Sequence, residues 1–301
     1  MARPRRGRAI LHAILLIMST TRIILLVMVV YGLASLGFLL SLDHAPVSEV
    51  RPPIIDISDG LPEISATAWG VFDLSTGDML YGTHATTVLP IASVTKLVTA
   101  AVINERNTPT TTATVFWTDL ATEGRAGGLY QGQVLTHQEL LFPLLLESSN
   151  DAASVLARSM GKTALLDEMR AFTTAADMKD TAFFDGSGLS PLNVSTVADL
   201  GRLLLTLEEK HAHILDITSL RQYLTLDAGW HNNSPFINDV GYVGGKHGYI
   251  DAAGRTAVVI FEEQFSRGQT LRLGYVILDS NDLLGDVRTL REIIRTRGLG
   301  K

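Results

Sequence analysis

Three short strings occur in one order along the 301-residue chain: Ser93-Val94-Thr95-Lys96, then Ser148-Ser149-Asn150, then Lys246-His247-Gly248. Between them they carry serine hydroxyls, two lysine amines, an asparagine amide and an imidazole, and none of these groups does much alone. A serine hydroxyl is a weak nucleophile until a base removes its proton. A lysine is such a base only when neutral, and at a reference pKa near 10.4 roughly one lysine in two thousand is neutral at pH 7. Burial lowers that pKa, and so does a second cation nearby. A chain that uses these strings together must fold three distant segments into one desolvated pocket. The ordered set points to acyl transfer through a serine ester.

The remaining composition narrows the class. Forty-six per cent of the residues are apolar, enough for a sizeable core. The net charge of −6 argues against a nucleic-acid partner. With no cysteine, disulfides and thiol chemistry are out. The eight histidines show no metal-ligand spacing, so no metal or other cofactor is expected.

Arg3, Arg5, Arg6 and Arg8 precede two apolar runs, 9–18 and 23–42. The second is about 20 residues without a charge, the length that crosses a bilayer core. Residues 1–22 are therefore expected to form a basic cytoplasmic N-terminus and 23–42 an uncleaved anchor. The rest would then lie outside the cell membrane. A cleaved signal peptide is the other reading, opposed by the length of the second run and by Pro46 after Ala45. Proline-rich residues 43–63 read as a linker, leaving 64–301 as the catalytic domain.

Within that domain, 67–73 and 78–82 read as strands joined by the turn residues Ser75-Thr76-Gly77. Residues 94–104 are apolar on nearly every side except Lys96 and predict a buried helix. From about 113 to 212 the pattern is helical. Thr136 with Glu139 and Thr196 with Asp199 are capping signals, and a further helix is expected from Asp151 to Met160. Strands follow at 242–249, 255–262 and 271–279, then a helix at about 283–296. The order predicts an α+β fold: an antiparallel sheet built from both ends of the domain, flanked by helices, with an all-helical insert.

Each string also has a plain reading. Ser93 with Lys96 suits a helix N-cap and a solvated lysine, although a lone charge on an apolar helix needs a partner. Ser148 and Asn150 suit a turn between helices, with Asn150 capping the second. Lys246 suits the exposed end of a glycine-rich hairpin. In the chemical reading Ser148 relays a proton, Asn150 holds Lys96 or a substrate carbonyl, and Lys246 with His247 holds a peptide carboxylate. Gly245 and Gly248, flanking the Lys246 segment, would let a ligand backbone approach closely, and the backbone N–H groups of Ser93 and Tyr249 would form an oxyanion hole.

The chain resembles the D-alanyl-D-alanine carboxypeptidases, the low-molecular-mass penicillin-binding proteins. Phe72 to Gly77, Pro90 to Ala100, Ser148 to Ala152, Phe184 to Leu189, His231 to Asn233 and Gly244 to Gly248 all carry the likeness. It implies a β-lactamase/transpeptidase-like fold and an acyl-enzyme on Ser93 with Lys96 as base. The substrate would be the D-Ala-D-Ala end of peptidoglycan pentapeptides, and β-lactams would acylate the same serine. His247 stands where the family usually has threonine, which leaves activity retained, made pH-dependent or lost. The chain stops too soon for the C-terminal β domain of many relatives, and no β-lactamase-type water-activating glutamate precedes Lys246. Other readings are a D,D-endopeptidase of crosslinks, a non-catalytic peptidoglycan- or penicillin-binding relic, and a β-lactamase.

Overall fold

The structure, a computed structural model, describes residues 63–106, 110–124, 126–265 and 268–297. The expected anchor at 23–42 lies outside these residues. Among those described, no helix is long and apolar enough to cross a membrane.

The frame is a five-stranded antiparallel sheet in the order β2-β1-β11-β10-β9. Strands β1 (Ala68–Asp73) and β2 (Met79–Thr83) come from the start of the domain, and β9 (Tyr242–Ile250), β10 (Gly254–Gln264) and β11 (Thr270–Ser280) from its end. This is the expected sheet from both ends. Gly77, at φ +81°, closes the first turn, with the Asp73 carboxylate accepting from the Ser75 N–H and hydroxyl.

The apolar runs Ala257–Phe261 and Leu273–Leu278 show little alternation because both faces of the sheet are covered. On one face Val71, Val259, Phe261, Tyr275 and Ile277 pack with Leu283, Val287, Leu290 and Ile294 of the last helix (Leu283–Arg297). On the other face Val258, Ile260, Val276 and Leu278 join the core of the helical half.

That half is built around α1 (Thr95–Arg106), in which every residue from Thr95 to Ile103 is buried. It is surrounded by α2 (His137–Leu146), α3 (Asn150–Met160), α4 (Lys162–Ala175), α5 (Val197–Lys210) and α6 (Ala212–Ser219); the last helix is α7. The Thr136–Glu139 capping box forms as expected. Thr196 caps α5, but the Asp199 carboxylate turns away to the Asp180 N–H and the Thr181 hydroxyl.

The insert differs from the all-helical expectation. Residues 112–136 hold a two-stranded ribbon, β4 (Thr112–Thr114) with β5 (Val134–Thr136), and β6 (Val194–Ser195) pairs with β3 (Leu89–Pro90). The threonine-rich, β-branched run entering β4 favours extended backbone over helix. A further ribbon, β7 (Gln222–Leu224) with β8 (Gly229–His231), follows α6.

Candidate active site

Ser93 sits in a single 3₁₀ turn, Ala92–Val94, at the entrance to α1. One helical turn on, Lys96 is fully buried, and its Nζ lies 3.0 Å from the Ser93 Oγ. The same nitrogen donates to Asn150 Oδ1 at 2.8 Å and to the Ser187 carbonyl at 2.6 Å. Asn150 Nδ2 donates to the Glu123 carbonyl at 2.7 Å, which fixes the amide with its oxygen toward the lysine.

Burial holds the Lys96 amine well below the usual lysine value; Lys246 pushes it further down, and Asp185 opposes them. The proton inventory then becomes definite. Both Asn150 Oδ1 and the Ser187 carbonyl accept only. A neutral amine spends its two N–H groups on them, and its lone pair is left facing the serine hydroxyl. A charged amine would turn its third N–H on that same hydroxyl. Neutral Lys96 is therefore placed to take the Ser93 proton.

Lys246 is buried on the edge strand β9, and its Nζ donates to the His247 carbonyl at 2.7 Å. Burial lowers it to about 7. Strand β9 meets the Ser93 turn at Gly248, where a Cβ would stand 2.5 Å from the Ser93 nitrogen. A side chain there would close the approach to the serine, so glycine is required. Exposed Tyr249 follows. His247 is half-buried; desolvation first, then Lys246, pushes it down to about 3. In the free protein His247 is therefore neutral, first because burial penalises its charge and then because Lys246 lies beside it, so it can meet a carboxylate only through a neutral ring N–H.

The middle string is divided differently from its plain reading. Ser149, not Asn150, caps α3, accepting from the Ala152 N–H at 3.0 Å while donating to the Ala126 carbonyl at 2.6 Å. Ser148 takes a left-handed conformation, φ +59°, and its hydroxyl has no hydrogen-bond partner among the described residues. The segment after β8 pins this turn: the Asn233 N–H donates to the Leu146 carbonyl and the Asn233 Nδ2 to that of Glu147.

The loop that aims an acceptor at Lys96 escaped the sequence reading. The Asp185 carboxylate accepts from the N–H groups of Ser187, Gly188 and Ser190, curling 185–190 so that the Ser187 carbonyl meets Lys96. Buried Asn193 ties this loop to Thr95. The loop's Asp-Gly-Ser-Gly composition signals a turn, but nothing in it signals a carbonyl aimed at a lysine. Among the described residues no group of histidine and acidic side chains could hold a metal.

The fold is that of the β-lactamase/transpeptidase-like class, with a serine and two lysines where its sheet edge meets its helices. The D-alanyl-D-alanine carboxypeptidase of Mycobacterium tuberculosis superposes with a TM-score of 0.70 at 26% identity, over 79% of this chain and 93% of that one. Penicillin-binding protein D2 of Listeria monocytogenes, in its ampicillin-bound form, gives 0.68 at 26%, over 78% and 99%. A family profile described as D-alanyl-D-alanine carboxypeptidase matches residues 56–280, and the chain belongs to that family. A D-alanyl-D-alanine endopeptidase of Pseudomonas aeruginosa is 35% identical over 175 residues, 55% of each chain. The chain spans about half the length of the first curated relatives it matches.

Proposed function

We propose that this protein is a serine D,D-peptidase that cleaves the D-Ala-D-Ala bond of peptidoglycan stem peptides through an ester on Ser93. The observation that carries the reading is Lys96: buried, with its proton affinity well below the usual lysine value, two acceptor-only partners in place and the serine hydroxyl 3.0 Å away. Ser93 attacks the penultimate D-alanine carbonyl, and Lys96 takes its proton. The N–H groups of Ser93 and Tyr249 hold the oxyanion, and Lys246 with Gly248 and His247 receives the terminal carboxylate. Ser148, with an unengaged hydroxyl near the site, passes a proton to the departing D-alanine, and water hydrolyses the ester. β-Lactams acylate Ser93 by the same route. Residues 23–42 anchor the domain on the outer side of the membrane in this reading, supported by their length and the arginines before them.

Carboxypeptidase action is the primary assignment. Endopeptidase action on crosslinks is a second reading, favoured by three curated relatives of 30–35% identity that are D-alanyl-D-alanine endopeptidases. Labelling with a fluorescent penicillin tests the common chemistry: wild type is labelled and Ser93→Ala is not. Unlabelled wild type would leave only the non-catalytic reading. D-Alanine release from a pentapeptide, measured beside cleavage of a crosslinked dimer, then separates the two peptidase activities.

A further inference from the structure

A cavity of about 230 Å³ opens beside the reacting groups and has no part in the chemistry above. It shares two walls with the site: Asn150 and Ser187, both partners of Lys96. Its other lining is mostly apolar, from Ala153 and Ala157 of α3, Leu165 and Leu166 of α4, and Phe184. Two charged residues line it. The Asp185 carboxylate is consumed by three backbone N–H groups and the Ser187 hydroxyl. Lys162, exposed at the start of α4, has no acidic partner among the described residues. Phe184 lines it with its ring 57% exposed, and its backbone N–H donates to the Asn193 side chain.

At roughly 30 Å³ per water, the space holds about eight waters, or one side chain, and is too small for a whole peptide. An apolar trough ending in one free cation suits an aliphatic stem that ends in an anion. We infer that this cavity is the subsite for a carboxylate-bearing side chain on the acyl half of the peptide, with Lys162 as the specificity-determining residue. The inference rests on the D,D-peptidase reading and adds which acyl donor the site selects.

The test uses two synthetic peptides, Nα-acetyl-L-glutamyl-D-Ala-D-Ala and Nα-acetyl-L-glutaminyl-D-Ala-D-Ala. The readout is the ratio of their kcat/KM values within each protein, which cancels any loss common to both. Wild type should prefer the acid roughly twofold to fivefold, the upper part of the range of an exposed ion pair. Lys162→Met should bring the ratio near one, and Lys162→Glu should reverse it. Melting temperatures establish that both variants are folded. A wild-type ratio of one, or a preference that survives in Lys162→Met, overturns the inference and leaves the peptidase reading intact. A wild type that turns over neither peptide and takes no penicillin label overturns both.

Discussion

Raising the pH should switch off acylation through Lys246 and not through His247. Lys246 loses its proton at about 7 in the free protein, because burial penalises the ammonium. The fraction able to draw a carboxylate is about half at pH 7 and falls about tenfold per unit above that, to roughly 1% at pH 9. Lys96 must be neutral to act, and burial together with Lys246 places its proton loss well below the usual lysine value. His247, at about 3, is neutral throughout this range. The assay is the second-order rate constant for labelling by a fluorescent penicillin from pH 5 to 9.5. Wild type should show a falling limb from about 7, and His247→Thr should keep that limb in place. Lys246→Met should be slow and lack it, and its acid limb should move up, because Lys96 has lost the neighbouring cation that helped depress it. A falling limb abolished by His247→Thr and retained in Lys246→Met would refute this assignment.

Two further outcomes follow from the same geometry. Lys246 is at about 7 folded and near 10.5 unfolded, so between those values the unfolded chain binds more protons. Its contribution makes stability rise with pH across that window by about 1.4 kcal/mol per unit, and it is flat below 7. The difference in melting temperature between wild type and Lys246→Met should therefore shrink from pH 7 to 9 if the variant is the more stable at pH 7; a constant difference counts against the burial account. Gly188 has φ +86°, and a Cβ there would stand 2.0 Å from the Ala92 carbonyl oxygen. Gly188→Ala should cost about 2–4 kcal/mol of stability from left-handed strain and overpacking, and should lower penicillin labelling by displacing Ser93; an unchanged melting temperature with normal labelling would show that the loop yields freely.

How much of this was legible depends on where the information sits. Side chains with a periodic or local signature were readable: the hairpin at Gly77, the buried helix around Lys96, the Thr136 capping box and the strands at both ends. What escaped was carried by backbone. Two of the contacts that orient Lys96 and Asn150 end on the carbonyls of Ser187 and Glu123. Every residue has such a carbonyl, so its direction cannot be read from residue type. The cap of α3 went to Ser149 where Asn150 was an equal candidate, because both residues make good caps and only the tertiary demand of Lys96 removes the asparagine. The charge state of His247 could not be read from its residue type, because it is set first by burial and then by Lys246 beside it.

The strain around the site explains why so much structure converges on one serine. Of the non-glycine residues with positive φ among those described, Ala92 immediately precedes Ser93, and Ser148 opens the middle string. Such conformations cost of order 1–3 kcal/mol each and persist only where the surroundings leave no alternative. Both are held from several sides. The Ile91 N–H donates to the Asn193 carbonyl, while the Ile91 carbonyl accepts from the Thr256 hydroxyl of β10. Gly188 and Gly248 press bare backbone against the same turn from opposite partners, a loop and a strand. Ser148 lies between Leu146 and Glu147, clamped by Asn233, and Ser149, clamped by the Pro143 and Ala126 carbonyls. The position of the Ser93 hydroxyl is thus set by the sheet edge and the 185–190 loop as much as by its own helix. A change in either should move the nucleophile while leaving its side chain intact, which is why Gly188→Ala, which removes no group that carries a proton, is a sharper probe of preorganisation than removal of the serine.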